Sequence, residues 1–244
     1  MTTPIYAIGD IHGHLDQLDD MLARIEADGG PDAQIVFLGD YVDRGPDSQG
    51  VIERLRAGLA AGRNWICLKG NHDRMFEWFM EDTPRHDPHL LVDFFWLHKR
   101  LGGVQTLESY GIDVPYEDRL FTVHKRAKDA VPQAHVDFLK SLHIYHQHDD
   151  LLFVHAGIRP GVALADQHEN DLVWIRQGFI DDSRRHPWLV VHGHTALEKA
   201  THFGNRIDLD GGAAYGRPLC AAVFENGKVW QLMPEGRVAL EPQN

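Results

Sequence analysis

Cysteine is nearly absent: Cys67 and Cys220 are the only two among 244 residues, and each lies inside an apolar segment. That excludes a disulfide framework and a thiolate zinc site, and makes a reducing, cytoplasmic compartment the expectation. Basic charge is also scarce. With 24 Lys and Arg against 36 Asp and Glu, the formal net charge is −12. This argues against a nucleic-acid polymer or an anionic membrane as partner, since both need clustered cations. No apolar run is long enough to span a bilayer, and a charged motif already begins at Gly9, leaving no space for a signal peptide. Internal repeats, low-complexity tracts and interdomain linkers are missing, so one domain over residues 1–244 is expected. Its 43% apolar content suffices for a sizeable core.

What is present is an alternation of strand and helix patterns, the signature of a layered α/β fold. Ile5–Ile8 reads as a strand. Leu15, Leu18, Met21, Leu22 and Ile25 recur at helical spacing until Gly29, Gly30 and Pro31 stop the helix. Ile35–Leu38 is a second strand, Val51, Ile52, Leu55 and Leu59 mark a second helix, and Trp65–Leu68 completes a βαβαβ unit. The segment at about 74–142 reads as mostly helical and aromatic-rich. Strands return at Leu151–Val154 and Leu189–Val191, and "RIDLDGG" and "LCAAVFENGKVWQLM" suggest an antiparallel close with a turn at Asn226-Gly227.

Each apolar strand ends in a few polar residues: Asp10 and His12; Asp40 and Asp43; Asn71 and His72; His155; His192 and His194. Strand carboxyl ends in an α/β sheet converge on one crevice, so these scattered groups can meet. Unpaired buried carboxylates are costly, and cations would neutralise them. Asp, His and Asn offer oxygen and imidazole donors without thiolate, which suits Mn, Fe, Zn, Co or Ni. Glycine precedes Asp10, Asp40, Asn71 and His194, as a sharp turn aiming a short ligand inward requires.

The ordered set "GDIHG", "GDYVDRG", "GNHD", "HAG" and "GHT" resembles the metallophosphoesterase superfamily, and "GDYVDRG" resembles its phosphoprotein phosphatase branch, the compact bacterial and phage-type Ser/Thr enzymes. The resemblance implies a four-layer α/β/β/α sandwich with two mixed sheets, the calcineurin-like metallophosphoesterase fold. It further implies two divalent metal ions, with Mn first among the possibilities: Asp10 and His12 on one, Asn71, His155 and His194 on the other, and Asp40 bridging. Their shared, activated water would be the nucleophile. By the same resemblance Arg44 and Arg176 clamp phosphate, His72 protonates the leaving oxygen, and Asp43 orients His72. Ala196 stands after "GHT" where many superfamily members have a further ligand His, and Asp73 stands in "GNHD" where many have Glu, a mild change.

The implied activity is hydrolysis of phosphate monoesters, with a phosphorylated protein carrying phospho-Ser or phospho-Thr, or phospho-Tyr, or a small phosphate ester as substrate. Hydrolysis of diadenosine tetraphosphate is the alternative; relatives of that kind typically carry Ala in the position of Asp43. A phosphoprotein- or metal-binding module is the non-enzyme alternative, disfavoured because His72 is retained. Other features read as structural. His146 and His148 suit a solvated strand edge, His192 suits packing behind the site, His14 a helix start, and Cys67 core filling. The aromatics of "FEWFM" and "FFWLH" suit helix packing ahead of a cleft rim.

Overall fold

The computed structural model describes residues 3–92 and 94–243. Two mixed sheets face each other. The first has six strands, β1 (Ile5–Ile8), β2 (Gln34–Phe37), β3 (Trp65–Cys67), β9 (Ala221–Glu225), β10 (Lys228–Met233) and β11 (Gly236–Ala239), in the order β11-β10-β9-β1-β2-β3. Its β1, β2 and β3 run parallel, while β9, β10 and β11 are antiparallel. The second has five, β4 (Tyr145–His148), β5 (Leu151–Val154), β6 (Leu189–His192), β7 (Thr201–His202) and β8 (Arg206–Asp208), in the order β4-β5-β6-β8-β7. Here β5, β6 and β8 are parallel and the two edge strands antiparallel.

Side-chain alternation builds the layers. Ile5 and Ala7, Val36 and Leu38, and Ala222 and Phe224 face the second sheet, where they meet Phe153, Val191, Ile207 and Leu209. The intervening residues, Tyr6, Ile8, Ile35, Phe37, Ala221 and Val223, face outward. They are covered by α1 (Leu15–Gly29), whose Leu18, Met21, Leu22 and Ile25 are buried, and by α2 (Ser48–Ala60) through Val51, Ile52 and Leu55. The outer face of the second sheet, Leu152, Val154 and Val190, is covered by Leu172 of α7 (Glu169–Trp174), Ile158 and Phe179, so the fourth layer is one short helix with loops.

The segment at about 74–142 is less helical than its composition suggests. After α3 (Asn71–Phe79), none of the described residues in 80–102 is helical; α4 (Gly103–Ser109), α5 (Leu120–Ala130) and α6 (Gln133–Ser141) follow. Pro84 and Pro88 withhold backbone donors there, and Asp87 takes the N–H of His89 on its side chain. "FFWLH" is therefore a turn-rich stretch. Edge strand β4 carries the partly buried His146 and His148 on one face. No helix among the described residues is long and apolar enough to cross a membrane.

Candidate metal centre and active site

Both sheets deliver polar loops from their strand ends to one place. Asp10 and His12 follow β1, Asp40 to Arg44 follow β2, Asn71 and His72 open α3 after β3, His155 follows β5, and His194 follows β6. All but Arg44 are buried. The turns are tight enough to force left-handed backbone on non-glycine residues. His12 (φ 47°), Asp40 (52°), Asp43 (73°), Arg44 (68°) and His194 (66°) account for five of the seven such residues described, which concentrates backbone strain at the site.

Asp40 sits at the middle. One carboxylate oxygen lies 3.5 Å from His12 Nε2, the other 3.4 Å from His155 Nε2. Two groups of potential ligands, His12–Asp40–His72 and Asp40–His155–His194, thus share this carboxylate. Backbone carbonyls fix the imidazoles: His12 Nδ1 donates to Val42 O (2.8 Å) and His155 Nδ1 to Leu38 O (2.9 Å), turning each Nε2 lone pair inward. Burial holds His12, His155 and His194 below the ordinary imidazole range; Arg44 adds to this at His12, and His155 and Arg176 at His194. Neutral imidazoles are the form that binds metal. His194 Nε2 is buried without a hydrogen-bond partner, and Asn71 Oδ1 lies 3.0 Å from His155 Nε2. An orphaned imidazole nitrogen, a shared carboxylate and an all-oxygen-and-nitrogen donor set fit divalent first-row cations.

Asp10 stands slightly apart from both groups. Its two oxygens accept the backbone N–H of His194, and its carboxyl is pushed well up by burial and by the neighbouring Asp210 and Asp40. Arg44 spans the first group, with Nη1 3.1 Å from His12 Nε2 and Nη2 2.9 Å from His72 Nε2. Arg176 reaches in from beyond α7 and donates to the carbonyl of His194 (3.0 Å). His72 Nδ1 is 2.6 Å from Asp43 Oδ2, so the ring presents Nε2 to the cleft. The structure therefore gathers the proposed ligands around Asp40, brings Asp40, Arg44, Asn71, Arg176 and His194 to the wall of one cleft, and also places His72 within reach of the first ligand group.

Several residues here were given no part in the site by the sequence. Asp73, read as a mild replacement, accepts the N–H groups of Asp40, Tyr41 and Gly70, tying two metal-site turns together. Asp208 and Asp210 add buried carboxylates beside Asp10; "RIDLDGG" carried that signal, as a third strand end rich in acid. His192 faces away from the cleft, against Phe179 and Arg206. A cleft of about 530 Å³ opens onto the centre, lined by the polar Asp40, Arg44, His72, Arg176 and His194 together with the apolar and aromatic Leu90, Leu91, Phe94, Trp174 and Tyr215.

This donor arrangement on two facing mixed sheets agrees with a family model for the calcineurin-like phosphoesterases, which matches residues 3–229. The chain belongs to that family. As a calcineurin-like phosphoesterase it is a metal-dependent hydrolase of phosphate esters. A symmetrical bis(5'-nucleosyl)-tetraphosphatase of Janthinobacterium sp. (strain Marseille) is 47% identical over 73 residues, which is 30% of this chain but only 24% of that protein's length. The asymmetrical bis(5'-nucleosyl)-tetraphosphatase PrpE of Oceanobacillus iheyensis is 22% identical over 242 residues, covering 89% of this chain and 87% of its own. Among solved structures, a candidate diadenosine tetraphosphatase superimposes with a TM-score of 0.66 at 23% identity, covering 95% and 93% of the two chains. A cold-active protein-tyrosine phosphatase of Shewanella sp. gives 0.62 at 16% identity, covering 99% and 81%. At these identities the structural likenesses show the shared fold. The names of the relatives favour the dinucleotide alternative over the phosphoprotein reading of the sequence.

Proposed function

We propose that the protein hydrolyses a dinucleoside polyphosphate, such as diadenosine tetraphosphate, at a phosphoanhydride bond. The observation that carries this is that relatives matched over both a short and a nearly full length bear the name bis(5'-nucleosyl)-tetraphosphatase. The cleft supports it: its volume is large for a bare phosphate and within the range of small-molecule sites, and its apolar wall suits a nucleoside beside the arginines that suit phosphates.

In this reading Asp10, His12 and Asp40 would hold one divalent ion, manganese by preference, and Asn71, His155 and His194 would hold a second, with Asp40 available to both. Bound divalent ions supply Lewis acidity and lower the pKa of water. Arg44 and Arg176 orient phosphate oxygens through paired N–H donors. Asp43 holds the Nδ1 proton and keeps the ring in place, and His72, once Arg44 turns from Nε2 to the phosphate and that nitrogen is protonated, would give the Nε2 proton to the departing oxygen.

The Asp43–His72 pair favours a second reading, hydrolysis of phospho-Ser, phospho-Thr or phospho-Tyr, because a basic alkoxide, and to a lesser degree a phenoxide, needs an acid more than a nucleotide phosphate does. Chelation, return of manganese and parallel assays of diadenosine tetraphosphate, a phosphoserine peptide and a phosphotyrosine peptide separate the two. The dinucleotide is expected to lead by at least tenfold in kcat/KM, about 1.4 kcal/mol of transition-state binding. A tenfold lead for either phosphopeptide would overturn the proposal in favour of the second reading.

A further inference from the structure

Asp43 is fully buried, yet neither of its oxygens is idle. Oδ2 accepts from His72 Nδ1 (2.6 Å) and from the indole Nε1 of Trp96 (2.8 Å). Oδ1 accepts the hydroxyl proton of Thr106 (2.6 Å), and that hydroxyl oxygen accepts the backbone N–H of Asp43 in return (2.8 Å). Ser48 Oγ closes the ring, 3.1 Å from Thr106 Oγ1 and 3.1 Å from the same N–H. A carboxylate bonded to His72 alone can still turn about its Cβ–Cγ bond, and donors on both oxygens fix its plane. Trp96 is itself held, stacked on Phe76 (5.1 Å) and packed against Phe79 (4.7 Å), while Gly103 lies so close beneath its ring that a Cβ there would have no room.

We infer that Trp96 and Thr106 are positioning residues for catalysis: they clamp Asp43 so that His72 is aimed at the leaving oxygen. The inference rests on the acid role proposed for His72. Both residues belong to the motif-free stretch after α3, 53 and 63 positions from Asp43 in sequence. The same stretch supplies Leu90, Leu91, Phe94, Arg100 and Leu101 to the cleft. One run of chain therefore shapes the substrate wall and holds the acid.

The test compares phenyl phosphate with p-nitrophenyl phosphate, two monoesters of similar shape whose leaving groups differ in basicity, in the manganese-loaded enzyme. Trp96→Phe keeps the aromatic stack and removes the donor, while Thr106→Val keeps the shape and removes the hydroxyl. Each is expected to lower kcat on phenyl phosphate about tenfold, with KM within about twofold, and to cost p-nitrophenyl phosphate less than about threefold. Thr106→Ser is expected to restore most of the loss. If Trp96→Phe disturbs the fold, as its melting curve would reveal, Thr106→Val and its serine rescue decide the matter. Equal losses on both esters, a change confined to KM, or no loss at all would overturn the positioning role. His72→Asn, measured alongside, isolates the underlying reading: if it too hits both esters equally, the acid assignment is what fails, and the positioning role fails with it.

Discussion

Asp40 shows how tightly single residues are constrained here. Its backbone is left-handed, its N–H is held by Asp73, and its carboxylate faces two imidazoles. Gly70 lies against it so closely that a Cβ would collide with Asp40 Oδ1, and Gly39, at φ 99°, has the backbone of Gly70 on the side where its own Cβ would point. Two kinds of substitution should thus produce one phenotype. Asp40→Asn removes a donor, and Gly70→Ala displaces it while leaving every ligand in the sequence. Both are expected to lower bound manganese per chain and kcat/KM together, by tenfold or more for Asp40→Asn. Elemental analysis beside kinetics checks this, and full metal content with normal activity in Gly70→Ala would refute the steric account. The glycine-then-donor pattern made these positions readable in the sequence, because a local backbone need leaves a local residue. Trp96 and Thr106 were not readable, since their contacts with Asp43 are made across more than fifty residues and imprint no spacing.

Among the elements, α3 carries the greatest burden, because its first residues are Asn71 and His72 and its orientation aims both. It is pinned from inside by Arg74, which is buried and meets Asp87 (2.8 Å), Asn170 (2.7 Å) and the face of Trp78 (4.6 Å). Asp87 in turn accepts from Trp174 Nε1 (3.1 Å), and Trp174 stands edge-on to His194. Removing one partner of a buried pair strands the other charge. Arg74→Met is accordingly expected to cost about 3 kcal/mol, with Arg74→Met/Asp87→Leu recovering much of it. Urea unfolding measures both, and a double variant no more stable than the single would show that the pair's charges are not what matters. Strands β1, β2, β5 and β6 were legible as apolar runs with polar ends, and α1 and α2 by their 3.6-residue spacing. The stretch at 80–102 was over-read as helix because aromatic richness resembles a helix face, whereas Pro84, Pro88 and the buried Asp87 make it a wrapped loop. Asp43 spoke for monoesters, and no residue pattern announced that Leu90, Phe94, Trp174 and Tyr215 would meet along one cleft.

At the scale of the whole molecule, Asp10, Asp40, Asp73, Asp208 and Asp210 are all buried around one centre, where negative charge costs most. In the metal-free protein, burial pushes Asp10 and Asp208 well up. Burial raises Asp210 to about 6, and burial with the charge of Asp40 raises Asp73 to about 8. These carboxyls bind protons more tightly folded than unfolded, so their contribution to stability is complete below the ordinary carboxylate range and is lost as pH rises through the raised values. The histidines work in the opposite sense. Burial lowers His12, His155 and His194, and lowers His192 to about 3, so their contribution is complete above about 6.5 and is lost as pH falls below it. Between about pH 6.5 and pH 8.5 the histidine contribution is constant and only the carboxylate one declines. Chelated protein should therefore melt progressively lower across that window. Cations bound as proposed at Asp10 and Asp40 would remove the repulsion that raises their neighbours, and a hundredfold excess over Kd would add about 2.7 kcal/mol per site. For a chain of this length that corresponds to a rise of about 5–10 °C in Tm, larger at pH 8.5 than at pH 6.5. Melting curves of chelated and manganese-restored protein at both pH values check this, and a chelated Tm that holds level or climbs with pH would mean that these carboxyls are not raised in the folded, metal-free protein.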